Sequence, residues 1–255
     1  AGRSAPLYHA KIAALAKRYG TMRRVRGEGN CFYRSTWMGW VTRCLEAPSD
    51  ERALLSDPRG DGFVEAIEAL SAVAATSLPV PQSYQVVELG GAFTRRTRAA
   101  VVAWDAGGEA ALLAAARRTG ETAECLRWLR LIASAYMRAH ADDFAPFAEG
   151  RPLDEFCVEH VETDEELADE PQIQALTSAL DVGVRVEYLD GVSTSWSSRC
   201  GPHRHVLRTP DPSAPLVACV LFRPGHYDML TPRDWNEPAL REPDGEAFVP
   251  PLPPE

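Results

Sequence analysis

The chain has 255 residues, of which 45% are hydrophobic and 25% charged, and its formal net charge is −9. This length and composition are typical of one soluble globular domain, or at most two small ones. The acidic balance argues against a nucleic-acid-binding surface, which usually carries an excess of basic residues. No apolar run approaches the length of a membrane span, and no signal-peptide pattern is present at the N-terminus.

The six cysteines are scattered and include no Cys-x-x-Cys pair. A domain of this size does not need disulfides to be stable, so the sequence predicts a reducing compartment. We therefore expect a cytoplasmic protein, with the nucleus as a second location.

Apolar residues at three- and four-residue spacing predict helices through the first two thirds of the chain. Trp37 and Trp40 belong to one of these apolar stripes and are expected to lie in the core. The predicted helices cover 8–19, a stretch that begins near residue 31 and runs through residue 45, 62–75, 109–140 with an interruption at 119–120, and 171–180. The segment "LPVPQ" at 78–82 ends the third of them, because proline cannot continue a helix.

After residue 181 the hydrophobic period changes from helical to alternating. "VGVRVEYL" (182–189) puts its valines on one side and Arg185 and Glu187 on the other, which predicts a strand. "LVACVLF" (216–222) is apolar on both faces and predicts a central strand, and "HYDML" (226–230) returns after the turn at Pro224-Gly225. A long polar connection, 190–215, separates the first two strands. Helices followed by strands predict an α+β fold with a small sheet.

His226 and Asp228 lie two residues apart on a predicted strand, so both side chains point to the same face. A carboxylate beside an imidazole holds it in one tautomer and stabilises it when protonated. If Cys31 starts a helix, the helix dipole and free backbone N–H groups favour a thiolate and can stabilise an oxyanion. Cys31 near His226 would then be an activated nucleophile beside a cleft, without tight packing.

The loop before this cysteine has a composition suited to a tight turn. Gly27 and Gly29 relax the backbone, and Asn30 tolerates left-handed geometry and can cap a helix. Taken alone, however, a cysteine at a helix start is usually structural, and a His-x-Asp pattern on a strand is usually accidental. The neighbouring residues decide between these interpretations.

Those neighbours resemble the otubains, a branch of the ovarian-tumour (OTU) deubiquitinases. "VRGEGNCFYRS" is similar to the cysteine box of that family, and "LFRPGHYDML" is similar to its histidine box. "YHAKIAALAKRYGTMRRVRGEGNCFYR", "AEGRPLDEFCVEHVE" and "IQALTSALDVGVRVEYLD" also look otubain-like, in the same order. The resemblance covers most of the chain from Tyr8 to Pro232.

The resemblance implies a papain-like cysteine protease fold, with a small, mainly antiparallel sheet packed between helical regions. It implies a thiol protease that hydrolyses the isopeptide bond between the C-terminal glycine of ubiquitin and a lysine. Cys31 matches the nucleophile, His226 the general base and Asp228 the residue that orients it. The backbone N–H groups of the loop match the oxyanion donors: Glu28, Gly29, Asn30 and Cys31.

The same resemblance sets expectations for partners and boundaries. Ubiquitin or polyubiquitin chains are the expected partners, with ubiquitin-conjugating enzymes as further candidates, and neither a cofactor nor a metal is implied. We predict a monomeric catalytic domain over 7–236 and a proline-rich tail over 237–255.

The chain also departs from the family pattern. The family usually has aspartate where this chain has Glu28, and it commonly has an Asp-His pair where this chain has Pro171-Gln172. The first difference could tilt the loop, and the second affects expected ubiquitin contacts. Two alternatives therefore stay open: a catalytically weak ubiquitin-binding module or regulator of ubiquitin-conjugating enzymes, and a thiol hydrolase or acyltransferase with another substrate.

Two other features suggest function less strongly. Cys200, His203 and His205 have a spacing that suggests zinc, but a structural zinc site needs four ligands and no fourth is evident. The run 159–170 is rich in acids and is most simply a solvated face. Its functional alternative is attraction of the arginine-bearing tail of ubiquitin.

Overall fold

The computed structural model describes residues 5–48, 51, 57–116, 119–164, 166–189 and 204–241. The helices are α1 (Ala5–Arg18), α2 (Cys31–Glu46), α3 (Asp61–Ser77), α4 (Gln82–Ala116), α5 (Thr119–Ala139), α6 (Ala141–Phe144), α7 (Leu153–Phe156) and α8 (Glu170–Leu180). The strands are β1 (Tyr19–Arg23), β2 (Gly183–Tyr188), β3 (Arg204–Arg208), β4 (Leu216–Arg223) and β5 (His226–Pro232). The predicted α+β class is confirmed.

The five strands form one mixed sheet in the order β1-β5-β4-β2-β3. Every neighbouring pair is antiparallel except β2 and β4, which are parallel. The parallel pair arises because β3 lies between β2 and β4 in the chain. β3 runs antiparallel to β2 along one edge, and β4 then pairs with the other edge of β2 in the same direction as β2. The sheet is therefore mainly antiparallel, as predicted.

Both faces of the sheet are covered. Ala218 and Val220 of β4 join the main core on the α2 side, whereas Cys219 and Leu221 join a smaller core on the opposite face. The prediction that this strand is doubly covered is confirmed. Trp37 and Trp40 of α2 are also buried in the main core, as predicted.

The contact between α2 and β4 is unusually close at Gly39. A Cβ atom at this position would lie 2.8 Å from Cβ of Ala218, so only glycine allows the helix to approach the strand this closely. This approach sets the depth of α2 against the sheet, and with it the position of Cys31 at the start of the helix.

Some elements were predicted wrongly or not at all. Tyr19, predicted as the end of the first helix, begins β1 because it pairs with Pro232 at the edge of β5. The first part of α4 was not predicted, since Gly90-Gly91 lowers helix propensity in its middle. The structure explains Gly90, because a Cβ atom there would collide with Ser71 of α3. β3 was hidden in the connection predicted as polar and irregular.

The second face of β2 carries a buried charge network instead of a polar surface. Arg185 and Glu187 are fully buried, and Nε of Arg185 lies 2.8 Å from Oε1 of Glu187. The hydroxyl of Tyr19 donates to Glu187, and the Arg185 guanidinium donates to the carbonyls of Ala239 and Leu240. Ala239 and Leu240, within the predicted tail, are thus packed against the sheet, whereas residues 242–255, including "PLPPE", lie outside the described residues. Among the described helices, none is both long and apolar enough to cross a membrane.

Candidate active site

The fold brings the front of the chain against its last strand at Cys31. Cys31 is the first residue of α2 and is fully buried. Its sulfur accepts a hydrogen bond from the backbone N–H of Tyr227, at 3.4 Å. Tyr227 follows His226 directly, so the sulfur lies beside the strand that carries the predicted base.

His226 and Asp228 lie on one face of β5, as the alternation of the strand predicted. Nε2 of His226 is 2.8 Å from Oδ1 of Asp228, whose side chain is fully buried. The same oxygen accepts from the backbone N–H of Val25 at 3.0 Å, and Oδ2 pairs with Arg223. The carboxylate is therefore held from three sides and holds the imidazole in turn.

The opposite edge of the imidazole faces the cysteine loop. A Cβ atom built on Gly27 would lie 3.5 Å from Nδ1 of His226, so this glycine borders that nitrogen directly. With Nε2–H donated to Asp228, the lone pair of Nδ1 is directed to the side of the loop. Nδ1 therefore borders the loop that leads into Cys31.

The loop that carries the predicted oxyanion donors has a defined conformation. Gly29 has φ +65°, the left-handed region that favours glycine, whereas Asn30 has φ −87°. The backbone N–H of Asn30 donates to the carbonyl of Glu28 at 2.6 Å. Of the predicted donors, this one is therefore occupied within the loop itself.

The predicted helix cap at Asn30 is wrong. Its side chain makes no capping hydrogen bond to α2. Instead, Oδ1 accepts from Nε of Arg130 at 2.7 Å. This contact could not be predicted from local patterns, because the two residues are 100 positions apart. The one relevant feature is a lone arginine in the apolar stretch "WLRLI" (128–132).

Glu28, which stands where the family usually has aspartate, anchors the loop to α2. Its carboxylate pairs with Arg34, and Nε of Arg26 lies 3.0 Å from its other oxygen. Arg34 also donates to Oγ1 of Thr122 on α5, at 2.7 Å. The glutamate side chain thus connects the loop to two helices.

The state of the Cys31 thiol differs from the sequence expectation. Burial raises its pKa, and the backbone N–H groups of Tyr227, Phe32 and Cys31 itself offset this only in part. The expected preference for a thiolate is therefore wrong for the ligand-free protein, because desolvation exceeds the effect of the helix start. The expected loose packing is also wrong, since Cys31 belongs to the main core.

A groove of about 560 Å³ runs beside these residues. Aromatic side chains and exposed carboxylates line it together, including Phe147, Phe222, Tyr227, Glu149, Glu166 and Asp169. The acidic run predicted at 159–170 therefore divides into two parts. Glu162 is buried and ion-paired with Arg138, at 2.9 Å, whereas Glu166 and Asp169 face the groove.

Pro171 and Gln172, which stand where the family commonly has an Asp-His pair, also border this groove. Gln172 accepts from the backbone N–H of Asp169 at 3.0 Å and donates to the carbonyl of His160 at 3.0 Å. It closes the capping box of α8, and Glu170 and Pro171 begin that helix as predicted. The side chain of Gln172 is thus fixed by two hydrogen bonds on one side of the groove.

The zinc-like spacing has no structural counterpart in the described chain. His205 lies in β3, while Cys200 and His203 fall outside the described residues. Within the described ranges, no three histidine, cysteine, aspartate or glutamate side chains are grouped so that they could hold a metal ion.

A cysteine, an imidazole and a buried carboxylate in this arrangement have the parts of a thiol hydrolase. Comparison with known proteins agrees. The family model described as Peptidase C65 Otubain matches residues 2–232. The ubiquitin thioesterase OTUB1 of Homo sapiens is 31% identical over 225 residues, which cover 88% of this chain and 75% of the relative.

Further relatives and structures give the same picture. The otubain-like ubiquitin thioesterase of Caenorhabditis elegans is 25% identical over 228 residues, covering 89% of this chain and 74% of the relative. A solved complex of OTUB1 with ubiquitin aldehyde and UBCH5B~Ub has a TM-score of 0.72 at 24% identity, over 92% of this chain and 85% of the other. This likeness shows the fold. The chain belongs to the otubain family of cysteine peptidases.

The raised pKa of Cys31 predicts how the free protein reacts with iodoacetamide. Because only the thiolate is alkylated, labelling of Cys31 should be slow at neutral pH and still accelerate at a pH where an exposed cysteine has already reached its maximal rate. Mass spectrometry of the peptide that contains Cys31 measures this rate, and Cys31→Ala identifies background labelling. A rate already at its plateau at neutral pH would contradict a buried, protonated thiol.

Proposed function

We propose that this protein is a deubiquitinase that hydrolyses the isopeptide bond after the C-terminal glycine of ubiquitin. The observation that carries the proposal is the position of the Cys31 sulfur, hydrogen-bonded to the residue after His226, whose ring is bonded to the buried Asp228. The relatives named ubiquitin thioesterases support ubiquitin as the substrate.

In this mechanism Nδ1 of His226 takes the proton of Cys31 as the sulfur attacks the glycine carbonyl. The carbon–sulfur bond forms, and the carbonyl oxygen becomes an oxyanion. The intermediate then collapses, the bond to the lysine nitrogen breaks, and the imidazolium gives its proton to the leaving amine. Water, deprotonated by His226, hydrolyses the thioester and releases ubiquitin with a free carboxylate.

Asp228 supports the two charged stages of this cycle. Its carboxylate keeps the proton on Nε2, so that Nδ1 is the basic nitrogen, and it stabilises the imidazolium. Arg223 forms an ion pair with the same carboxylate. The side chain of Asp228 is fully buried, whereas that of Arg223 is 39% exposed. The buried carboxylate is therefore held in place by three donors while the ring gains and loses its proton.

Backbone N–H groups near the sulfur are the proposed oxyanion donors. Those of Cys31 and Phe32 both point toward the sulfur at the start of α2, where the helix dipole adds to their effect. Together with the loop from Glu28 to Asn30, they surround the place where the carbonyl oxygen would lie. Such donors are effective because they need no reorganisation during the reaction.

The groove beside the site fits the arginine-bearing tail of ubiquitin. Glu149, Glu166 and Asp169 offer exposed carboxylates, and aromatic side chains give an apolar floor. This combination attracts guanidinium groups while it excludes water from the peptide between them. The proposal thus assigns to Glu166 and Asp169 of the acidic run the second of the two roles that the sequence allowed, attraction of this tail.

Ubiquitin is accordingly the proposed main partner. The solved OTUB1 complexes also contain the ubiquitin-conjugating enzymes UBCH5B and UBC13, so enzymes of that class are proposed as further partners. A purely regulatory module is not proposed, since Cys31, His226 and Asp228 are all present and brought together.

Ubiquitin that carries an electrophilic C-terminal group tests the proposal directly. We expect a covalent adduct on Cys31, seen as a mass shift of one ubiquitin, and none with Cys31→Ala. This variant removes a single buried sulfur atom, so we expect it to lose about 1 kcal/mol of stability and to remain folded at the assay temperature. Binding without an adduct would favour a ubiquitin-binding module, and neither binding nor adduct would favour another substrate.

Charge reversal in the groove tests its role in substrate binding. Glu166→Lys should raise KM for a ubiquitin substrate roughly five-fold with little change in kcat, because it repels the basic tail at a solvent-exposed position. Glu155→Lys makes the same charge change at an exposed site on α7, away from the groove. Equal KM values for the two variants would show that the groove does not receive the tail.

A further inference from the structure

We infer that Arg130 is a positioning residue of the active site, which fixes the orientation of the Gly29–Asn30 peptide in the loop before Cys31. Arg130 lies on α5 and touches neither Cys31 nor His226 by hydrogen bond. The kinetic consequence of this inference rests on the proposed function, whereas its structural consequence does not.

One guanidinium holds the loop at two points. Nε of Arg130 donates to Oδ1 of Asn30 at 2.7 Å, and Nη2 donates to the carbonyl of Gly29 at 3.2 Å. The side chain of Arg130 is fully buried, so these hydrogen bonds are shielded from competing water. The planar fork therefore determines both the position and the direction of this part of the loop.

The hydrogen bond from Arg130 to the carbonyl of Gly29 also fixes the direction of the N–H of Asn30, because both belong to one peptide unit. In a trans peptide the carbonyl of Gly29 and the N–H of Asn30 point in opposite directions. Because Arg130 attracts the carbonyl, the N–H is directed away from the guanidinium, into the loop. That N–H donates to the carbonyl of Glu28 at 2.6 Å, so the same orientation closes the turn directly before Cys31. If the peptide rotated by half a turn, this hydrogen bond would break and the N–H of Cys31, a proposed oxyanion donor, would shift.

The guanidinium is itself held in place from the other side. Nη1 donates to the carbonyl of Val161 at 2.9 Å, and Nη2 donates to the carbonyl of Glu166 at 2.6 Å and that of Asp164 at 3.3 Å. The guanidinium carbon also lies 4.5 Å from the centre of the Tyr33 ring. The loop is thus fastened to α2, α5 and the segment that leads into the groove.

These acceptors explain why an arginine is required here. Among the described residues, they are backbone carbonyls and one side-chain amide, spread around the plane of the guanidinium. A lysine ammonium keeps the charge but is a compact donor that cannot reach both the loop and the segment 161–166. Arg130→Lys therefore removes the bridge while it retains the cation.

Arg138→Lys is the matched control. Arg138 lies on the same helix with a side chain only 7% exposed, and it bonds Glu162 and Asp154, each at 2.9 Å. It does not touch the loop. If Arg130 served only the stability of α5 and its neighbours, the two variants would behave alike.

The first measurement compares two reactions of the same sulfur. Arg130→Lys should lower kcat for a fluorogenic ubiquitin C-terminal amide by about 10-fold or more, because a loop that is no longer held in place misplaces the oxyanion donors at the start of α2. Alkylation of Cys31 by iodoacetamide should stay within about twofold, because that displacement forms no oxyanion. Arg138→Lys should change neither rate by more than about twofold. An unchanged kcat in Arg130→Lys, or a parallel fall in alkylation, would overturn the inference.

Asn30→Ala removes the hydrogen bond between Arg130 and Asn30 from the side of the loop. It serves as a second test if Arg130 cannot be replaced without unfolding. It removes the amide acceptor and leaves every backbone donor in place, so kcat should fall in the same direction. The double variant Asn30→Ala/Arg130→Lys should lose less than the product of the two single losses, since both remove one interaction. Independent, multiplying losses would contradict a shared bridge.

Hydrogen exchange separates this inference from the proposed function. Amides in residues 26–33 should exchange about 10-fold faster in Arg130→Lys than in wild type or Arg138→Lys, because the loop loses its attachment. A wild-type protein that does not cleave the ubiquitin substrate would contradict the proposed function alone. Unchanged exchange of the loop in Arg130→Lys would contradict the positioning role, whatever the substrate.

Discussion

The carboxylate of Asp228 joins the segment before the cysteine loop to the hairpin of β4 and β5, and the geometry of the site depends on it. It bonds the backbone of Val25 before the cysteine loop, the ring of His226 on β5 and the guanidinium of Arg223 at the end of β4. A buried carboxylate is costly unless several donors satisfy it, so these contacts are formed together or not at all. The hairpin supports this arrangement, because its turn ends at Gly225, with φ +75°, and sets Arg223 opposite His226.

The cysteine is placed by packing and not by a flexible loop alone. Gly39 lets α2 lie close against β4, and the first residue of that helix then meets the backbone of Tyr227. Burial raises the pKa of the Cys31 thiol, which lowers its reactivity toward adventitious electrophiles while no substrate is bound. The sulfur nonetheless lies beside the residue that follows His226 in β5, at the start of α2, so in the proposed mechanism the partners for its activation come from neighbouring elements.

The local placement of the candidate residues could be predicted from the sequence, but not the framework that holds them. Strand alternation predicted that His226 and Asp228 share a face, and the apolar stripe predicted that Cys31 begins a helix, since both signals are local. Their choice as candidates depended on the family-like residues around them. The contact between Arg130 and Asn30 spans 100 positions and leaves no periodic trace. The parallel pairing of β2 with β4 depended on β3, which was hidden in a polar segment. Burial of Cys31 and its raised pKa depend on tertiary packing, which hydrophobic patterns do not resolve.

The central claim is that Asp228 holds His226 through Nε2 and so directs Nδ1 toward the sulfur. Nitrogen-15 NMR of histidine-labelled protein, at a pH where the ring is neutral, reads the tautomer from the shifts of the two ring nitrogens. We predict a protonated Nε2 and an unprotonated Nδ1 for His226, with this preference weakened in Asp228→Asn. A wild-type ring protonated at Nδ1 would leave no base facing Cys31 and would contradict the account.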